Sequence, residues 1–561
     1  MKPESRARLK NRLWFALSWL LPALLIKQFI LPDFQVLRYY SVPDDLYCMY
    51  WNTVHVKNAI VEHSGLFSTQ SVLAPQGVSL LGHTYTPFFG LLHVFFHNAV
   101  FSINLAVYLH LLVFAAGVYA LTALWLQSPV NRLIVSVLAV FNGYLLAKSG
   151  IHLNLLLIGL VPWNILLFLR AFDDRAKLIK PTLLMVATGT LLLNILFDYY
   201  AILYTLVFVF LWFVYQRFIQ GNSLKMNRKK WFLAAIGLIV CHFLSRLLSL
   251  HGWDVKGGIW EAPDFRAFFV PGPLGYWNAS LGQYPHSPST ENFVYAGISL
   301  LLLLCTAVFL YLRSRIKPEG AGLWLFLLIG FFCLVFPAVK IGGRNLFYLP
   351  NSLLHYIPFL QHFRSTGRMF EFFITASVVF SFIVIEKRPW KNQIVNIAVP
   401  LVFACIFIFE HYTRPHNIIA GKAFLPQEQD SVQLKGRTVL TLPWGIRDGF
   451  KALGNYEISD MKLISVPGCR VCSGYISRIP QQNLNYYSRC EWSQRTLRLQ
   501  SHTHCSKQDA LNWAKAVHQS KITAIRAAVL LNSFKAGFDE LVNQYGWQKR
   551  ESAGVIYLLR M

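Results

Sequence analysis

The sequence predicts a polytopic α-helical membrane protein of about eleven transmembrane helices that ends in a soluble α/β domain. Of its 561 residues, 55% are hydrophobic and only 14% are charged, whereas soluble domains carry about 25% charged residues. Apolar stretches recur up to Glu410, and the composition then becomes mixed and polar. We therefore divide the chain into a transmembrane domain, residues 1–410, and an α/β domain, residues 411–561.

The predicted spans are apolar stretches of about 16 to 25 residues, the length that a helix needs to cross a bilayer. The segment Pro87–Phe101 is apolar too, but it is short and carries His93 and His97. We predict that it forms a helix on the membrane surface. The spans are Trp14–Leu31, Ile103–Leu126, Leu133–Ala147, Leu153–Leu169, Thr182–Phe197, Tyr199–Tyr215, Trp231–Leu248, Phe293–Leu312, Leu323–Val339, Met369–Ile385 and Ile394–Phe409.

The distribution of Lys and Arg predicts the orientation of the spans. The formal net charge is +26, and the cations crowd into alternate loops. Because cytoplasmic loops carry the excess of Lys and Arg, the N-terminus is predicted to be cytoplasmic. The long loop 33–101 and the tail after Glu410 are then outside. Attraction to anionic headgroups accounts for much of the charge, so the lipid bilayer is a predicted partner and nucleic acid is not.

The tail has the patterns of an α/β domain. Runs rich in β-branched residues predict strands, and apolar residues spaced three and four apart predict helices. The predicted strands are Thr438–Leu442, Ala524–Leu531 and Val555–Leu559, and the predicted helices include Asp509–His518 and Ser533–Tyr545.

Two adjacent carboxylates, Asp44 and Asp45, begin the structured part of the first outer loop. Apolar spacing predicts a helix from Asp44 to His63, with Gly65 after its end. One interpretation is structural, because acids in a first turn cap a helix and complement its dipole. The other is chemical, because a carboxylate at the lipid–water boundary can act as a general base or a metal ligand.

Polar residues also lie at the outer ends of predicted spans. His152 and Asn154 precede one span, and Asp198 lies in the turn between two others. Polar groups at membrane depth are either functional or packed against one another. Both interpretations stay open for His152, and the sequence favours a functional role for Asp198.

Cations gather in the loop Lys340–Arg368, on the side where the positive-inside rule does not require them. The guanidinium groups of Arg344, Arg364 and Arg368 suit a phosphate or pyrophosphate. The alternative is that these side chains anchor the protein at the lipid headgroups. The helical spacing of Arg364 and Arg368 favours phosphate binding.

Four of the nine cysteines lie in the outer tail, at Cys469, Cys472, Cys490 and Cys505. The pair Cys469 and Cys472, with His502 and His504 nearby, permits a zinc site, but no second pair follows at zinc-ribbon spacing. An oxidising outer compartment favours one or two disulfides instead.

These features resemble the GT-C superfamily of integral-membrane glycosyltransferases, and more closely a family of bacterial membrane proteins with GT-C-like architecture. The architecture that they resemble has a long first outer loop with an acid soon after the first span, surface helices and an outer soluble domain. The stretches that carry the closer resemblance are Gly65–Phe67, Pro75–Val78, Thr86–Pro87, His152–Leu155, Phe363–Arg368 and Gly474–Pro480.

The resemblance implies an inverting hexosyltransferase in the bacterial inner membrane, with the tail in the periplasm. Asp45, or Asp44, would deprotonate an acceptor hydroxyl that attacks a sugar carried on polyprenyl phosphate. Arg364 and Arg368 would steady the phosphate leaving group, with Arg344, His152, Asn154 and Asp198 around the substrate. The acceptor would be an envelope glycan, lipid or protein. Several relatives need a divalent metal, Mg²⁺ or Mn²⁺, and several do not.

Two other functions fit the same composition. A transporter or flippase of lipid-linked sugars predicts inverted repeats and ionisable residues near the middle of spans. His242, Ser245 and Arg246 are the residues that favour it. A non-enzymatic assembly protein, whose tail binds envelope material, is the third interpretation.

Overall fold

The structure is a computed structural model, and its described residues group into two compact units. We call Met1–Val42, Ile103–His242 and Val255–Ile419 the helical unit, and Pro43–Ser102, Phe243–Asp254 and Ala420–Met561 the α/β unit. The described residues are 3–39, 44–72, 74, 76–80, 86–150, 152–172, 180–221, 262–269, 294–314, 318–349, 352, 366–387, 393–412, 417–420, 428–442, 469–472, 489–501, 506–527, 532–552 and 555–561.

Helices dominate the described part of the chain. They are α1 Pro3–Leu25, α2 Asp44–Val61, α3 Pro87–Phe96, α4 Ala99–Thr122, α5 Pro129–Val140, α6 Gly143–Lys148, α7 Val161–Phe172, α8 Lys180–Leu193, α9 Tyr199–Val214, α10 Ile298–Arg313, α11 Ala321–Val335, α12 Phe370–Glu386, α13 Gln393–His411, α14 Glu428–Leu434, α15 Glu491–Ser501, α16 Lys507–Gln519 and α17 Lys535–Asn543. The strands are β1 Val36–Tyr39, β2 Ser68–Thr69, β3 Val78–Ser79, β4 Ala338–Ile341, β5 Arg344–Tyr348, β6 Asn417–Ala420, β7 Thr438–Leu442, β8 Arg470–Val471, β9 Ala524–Ala527, β10 Gln548–Ser552 and β11 Val555–Leu559.

The length and apolarity of the helices indicate a multi-pass membrane protein. Among the described residues, five helical segments are long and apolar enough to cross a membrane: Arg12–Ile30, Ala99–Thr122, Pro129–Lys148, Tyr199–Ile219 and Thr366–Glu386. Shorter apolar helices accompany them, including α7, α10 and α11. The count of about eleven spans stays a prediction, and the predicted span Trp231–Leu248 lies outside the described residues.

Two predicted spans are not continuous helices. The stretch Leu133–Ala147 breaks between α5 and α6, where the Asn142 side chain accepts a hydrogen bond from Leu145 N and begins a new helix. The stretch Leu153–Leu169 starts as a 3-10 turn, Leu153–Leu156, and becomes α-helical only at Val161. A hydropathy average does not detect such breaks. An Asn side chain that caps a new helix causes a break of this kind.

The helix predicted at Pro87–Phe101 is shorter than expected. Helix α3 has 10 residues, about 15 Å at the α-helical rise, roughly half of a bilayer's hydrocarbon thickness. His97 ends it in a left-handed conformation with φ 53°, and α4 follows from Ala99. Its position on the membrane surface stays a prediction.

Carboxylates join the helices of the helical unit. Glu386, the last residue of α12, accepts from Gln127 N at 2.5 Å, from Ser128 N at 3.0 Å and from Asn131 Nδ2 at 2.8 Å, all at the start of α5. Glu410 of α13 accepts from Ile298 N and Ser299 N at the start of α10. The first amides of a helix lack intrahelical partners, so each acid satisfies donors that would otherwise be left unpaired.

The α/β unit is built on a five-stranded sheet in the order β10-β11-β9-β7-β8. Strand β7 is parallel to β8 and β9, and β11 is antiparallel to β9 and β10. Strands β7 and β11 have the predicted bounds, and β9 begins at the predicted Ala524. Helices α16 and α17 lie where the sequence predicts them.

The first loop and the tail share one hydrophobic core. Trp51 and Val56 of α2 and Val78 of β3 belong to the same buried cluster as Trp513 of α16 and Tyr557 of β11. The division at residue 410 stays a prediction, but the contacts group residues Pro43–Ser102 with the tail and not with the transmembrane helices.

Substitution of Gly90 tests the packing of α3 against α2. A Cβ at Gly90 would lie 2.2 Å from Val56 Cβ and 2.9 Å from Thr53 O, so Gly90→Ala is expected to destabilise the α/β unit by about 1–3 kcal/mol through overpacking. The matched control is Gly189→Ala in α8, where a Cβ would meet nothing within 4 Å, and where Ala gains about 0.5–1 kcal/mol of helix propensity. Thermal unfolding of both variants in detergent checks the order, and a Gly90→Ala variant as stable as Gly189→Ala would contradict the close approach.

Candidate active site

Asp198 begins helix α9 at one end of the helical unit. Its backbone is extended, with φ −156° and ψ 137°, and its Oδ1 accepts from Tyr200 N at 2.7 Å. Asp is among the preferred residues at this position because its carboxylate satisfies a free amide of the first turn. The side chain is buried, so the cap places a carboxyl group away from water, just before the apolar segment Tyr199–Ile219.

Asn154 faces this carboxyl group from the 3-10 turn Leu153–Leu156. Its Nδ2 donates to Asp198 Oδ2 at 2.5 Å, across 44 positions of sequence. The residues after the turn are joined to α4, because Gly159 N donates to His110 Nδ1 at 3.2 Å and Trp163 Nε1 donates to Val113 O at 3.0 Å. Helix α4 thus fixes the loop that carries Asn154.

Arg368 supplies a positive charge to the same place. It lies in the 3-10 turn Thr366–Met369 that leads into α12, and its guanidinium carbon is 4.5 Å from the centre of the Tyr200 ring. Its carbonyl oxygen accepts from Tyr204 Oη at 3.0 Å, which joins the turn to α9. The guanidinium is close enough to Asp198 to stabilise the charged carboxylate.

Burial nevertheless controls the ionisation of Asp198. It raises the pKa of the carboxyl group to about 6, against the opposing effects of the Asn154 hydrogen bond, the Tyr200 amide and the Arg368 charge. A raised pKa means that the fold favours the neutral acid, so the carboxyl group stabilises the fold below its ordinary pKa of about 4 and loses that effect as pH rises through about 6. Asp198 therefore titrates close to physiological pH, as groups with functional roles often do.

Two further buried ionisable residues, Lys148 and Glu371, are not among the predicted site residues. Lys148, at the end of α6, is fully buried, and its Nζ lies 5.4 Å from the centre of the Tyr144 ring. Glu371, in the first turn of α12, accepts from Asn142 Nδ2 at 2.7 Å and from Thr375 Oγ1 at 3.0 Å. Glu371 could have been predicted from the sequence as a site residue. It is an acid inside an apolar stretch, and ionisable residues in membrane helices are rare.

Of the predicted site residues, the structure thus brings together Asn154, Asp198 and Arg368. His152 is buried directly before the Asn154 turn, with its amide on Lys148 O at 3.0 Å. Arg344 lies on β5 and is exposed, and Arg364 lies outside the described residues.

Asp44 and Asp45 are the first two residues of α2, where the sequence predicts the helix to begin. They belong to the α/β unit, and their side chains lie outside the described residues. Both the capping and the catalytic interpretation therefore stay open for this pair.

Metal and thiol sites are the remaining predictions. Within the described residues, no group of three or more His, Cys, Asp or Glu side chains is placed to hold a metal ion, and Mg²⁺ or Mn²⁺ stays a prediction. Cys469 and Cys472 are buried on either side of β8, and burial raises the pKa of the Cys472 thiol. The zinc and disulfide alternatives stay open, since Cys505 and the two nearby histidines lie outside the described residues.

Comparison with known proteins places the chain in a family without assigning its activity. An oligosaccharyltransferase of Archaeoglobus fulgidus, solved in complex with Zn and sulfate, is similar over 91% of this chain and 67% of that one, with 12% identity and a TM-score of 0.47. A similarity at this TM-score establishes neither fold nor activity. No curated protein sequence matches the chain. Residues 59–408, more than half of the sequence, match the family model described as Domain of unknown function (DUF6311). The chain therefore belongs to the DUF6311 family.

Proposed function

We propose that the protein is a GT-C-type membrane glycosyltransferase with about eleven spans and a soluble outer domain. It would move a hexose from a polyprenyl-phosphate donor to a glycan, lipid or protein acceptor on the outer face of the bacterial inner membrane. The observation that carries the proposal is the cluster of Asp198, Asn154 and Arg368 at one end of the membrane helices. The motifs that resemble GT-C-like proteins support it independently.

Arg368 is suited to the phosphate of the donor. Its planar guanidinium lies on the Tyr200 ring, which restricts the side chain before a substrate arrives. A preorganised guanidinium forms short, paired hydrogen bonds with phosphate oxygens and stabilises the charge that develops as the phosphate leaves. Arg364, one helical turn earlier in sequence, would contribute a second guanidinium.

Asn154 and Asp198 are suited to the hydroxyl groups of the sugar. Asn154 Oδ1 is buried and accepts no hydrogen bond from the residues that the structure describes, and a buried unsatisfied acceptor costs about 1–3 kcal/mol. One sugar hydroxyl could donate to it, and a neighbouring hydroxyl could donate to a carboxylate oxygen of Asp198. His152, buried directly before the turn, would border the sugar.

The proposed reaction is one inverting displacement. The carboxylate of Asp45, or of Asp44, takes the proton of the acceptor hydroxyl as its oxygen attacks the anomeric carbon from the side opposite the phosphate. The bond between the anomeric carbon and the phosphate oxygen breaks, and polyprenyl phosphate leaves with the electron pair. General-base assistance of this kind contributes about 10²–10⁴ in rate.

A transporter of lipid-linked sugars is the second candidate, and buried Lys148 and Glu371 are the observation that favours it. Ionisable residues inside membrane helices mark transport pathways as well as active sites. The two functions differ in product, because a transporter moves the intact lipid-linked sugar and releases no polyprenyl phosphate. Proteoliposomes supplied with a labelled polyprenyl-phosphate hexose distinguish them by that release.

Asp198→Asn is expected to lower the release of polyprenyl phosphate by roughly 10²-fold, because the amide keeps the helix cap but loses the charge. The wild-type rate should rise with pH through about 6, where Asp198 ionises, and the variant should lose this rise. The matched control is Asp264→Asn, which alters another capping carboxylate of the helical unit and should keep activity within about threefold. Equal rates and pH profiles for wild type and Asp198→Asn would show that Asp198 acts only as a helix cap.

Asp45→Asn is expected to lower the same rate by about 10²–10⁴, the contribution of a general base. Asp44→Asn should have a smaller effect, since a first-turn acid contributes about 0.3–1 kcal/mol to the helix and no chemistry. Initial rates and thermal unfolding of each variant separate loss of catalysis from loss of folding. If neither substitution slows the reaction, the assignment of the base is wrong, whatever the outcome at Asp198.

A further inference from the structure

A short hairpin follows the apolar helix α11. Strands β4 and β5 pair with Ile341 opposite Arg344, so Gly342 and Gly343 form a two-residue turn. Both glycines have positive φ, 63° and 80°, which is the geometry of a type I′ turn and the reason that glycine is favoured at both positions. The sequence thus specifies a hairpin at this position.

The hairpin exposes an unusual amount of apolar surface. Leu346, Phe347 and Tyr348 are consecutive on β5 and are 60%, 54% and 52% exposed, and Ile341 on β4 is 41% exposed. In water, a two-stranded ribbon with such a surface invites aggregation. Its exposure on a membrane protein points to a lipid environment.

The chain connectivity holds the base of the hairpin near the end of α11. Strand β4 begins three residues after Val335, a distance of about 10 Å at most, and Leu349 N returns from β5 to donate to Pro337 O at 2.9 Å. Because α11 is apolar and its end marks the end of a hydrocarbon-compatible segment, the base of the hairpin, where β4 begins and β5 ends, lies at the level of the headgroups. The five-residue strand β5 extends about 17 Å from the glycine turn to that base.

Positive charge accompanies the apolar strand. Lys340 and Arg344 flank the glycine turn on β4 and β5. Asp264 accepts from Gly343 N at 3.0 Å and forms an ion pair with Arg266 at 3.0 Å. Apolar and aromatic residues beside cations form the pattern of segments that lie at a lipid–water interface.

We propose that this hairpin is a lipid-binding element that lies at the bilayer surface. Leu346, Phe347 and Tyr348 contact the acyl-chain boundary, and Lys340 and Arg344 bind the phosphate groups of anionic phospholipids. The charge complementarity with an anionic surface, together with the continuity with α11, selects the bilayer as the occupant over a second copy of the chain. This assigns Arg344 to the membrane instead of to the donor phosphate.

Photo-crosslinking of the full-length protein in nanodiscs tests the proposal. Benzoylphenylalanine replaces Phe347, and mass spectrometry measures lipid adducts in phosphatidylcholine with or without phosphatidylglycerol. Phe309 on α10, which is 58% exposed, is the membrane-facing reference, and Val432 on α14, which is 69% exposed, is the reference in the α/β unit. Adducts at position 347 comparable to those at 309 and in excess of those at 432 support the proposal.

The absence of lipid adducts at 347, while 309 reacts, overturns the proposal, and so does a crosslink at 347 to a second copy of the chain. The role of the cations is tested separately by Lys340→Gln and Arg344→Gln in the same labelled protein. Each substitution should lower the phosphatidylglycerol share of the adduct by about fivefold. An unchanged share would overturn headgroup binding by that residue.

Discussion

The helical unit depends on one constraint: a carboxylate at the end of an apolar helix needs hydrogen-bond donors, and the first amides of helices are donors without intrahelical partners. Glu386 meets the start of α5 and Glu410 meets the start of α10. Asp198 caps its own helix. In each case the favourable end of the helix dipole also faces the negative charge. The acids therefore determine which helix ends lie together and where polar groups lie in the bundle.

Asp198 differs from the other acids in the groups that surround it. Glu386 and Glu410 each accept two backbone amides from another helix, so a structural role accounts for their positions. Asp198 accepts one amide of its own helix and the side chain of Asn154, whose own oxygen accepts no hydrogen bond from the described part of the chain. A guanidinium lies nearby as well. A helix cap needs neither this acceptor nor the cation, whereas a phosphosugar offers hydroxyl donors to the one and a phosphate to the other.

The sequence predicted what local patterns determine. The bounds of β7 and β11, the start of α2, and the placing of Asn154, Asp198 and Arg368 at span ends all follow from short-range periodicity or hydropathy. The contact between Asn154 and Asp198 spans 44 positions and depends on how α4 holds the intervening loop, which no local pattern encodes. Glu371 was missed because a hydropathy average hides one acid among many apolar residues. The core that Trp51 shares with Trp513 was missed because neither segment has a sequence pattern that indicates a long-range contact.

The shared core gives the tail a structural role, whether or not the tail takes part in a reaction. Trp51 and Val56, on the helix that Asp44 and Asp45 begin, are 1% and 0% exposed, and they belong to one cluster with residues of β7, α16 and β11. A segment of this length is only marginally stable by itself, because small domains bury a smaller share of their surface. The five-stranded sheet therefore supplies the interior against which α2 folds, and any reaction that uses a first-turn carboxylate of α2 requires the sheet to hold it.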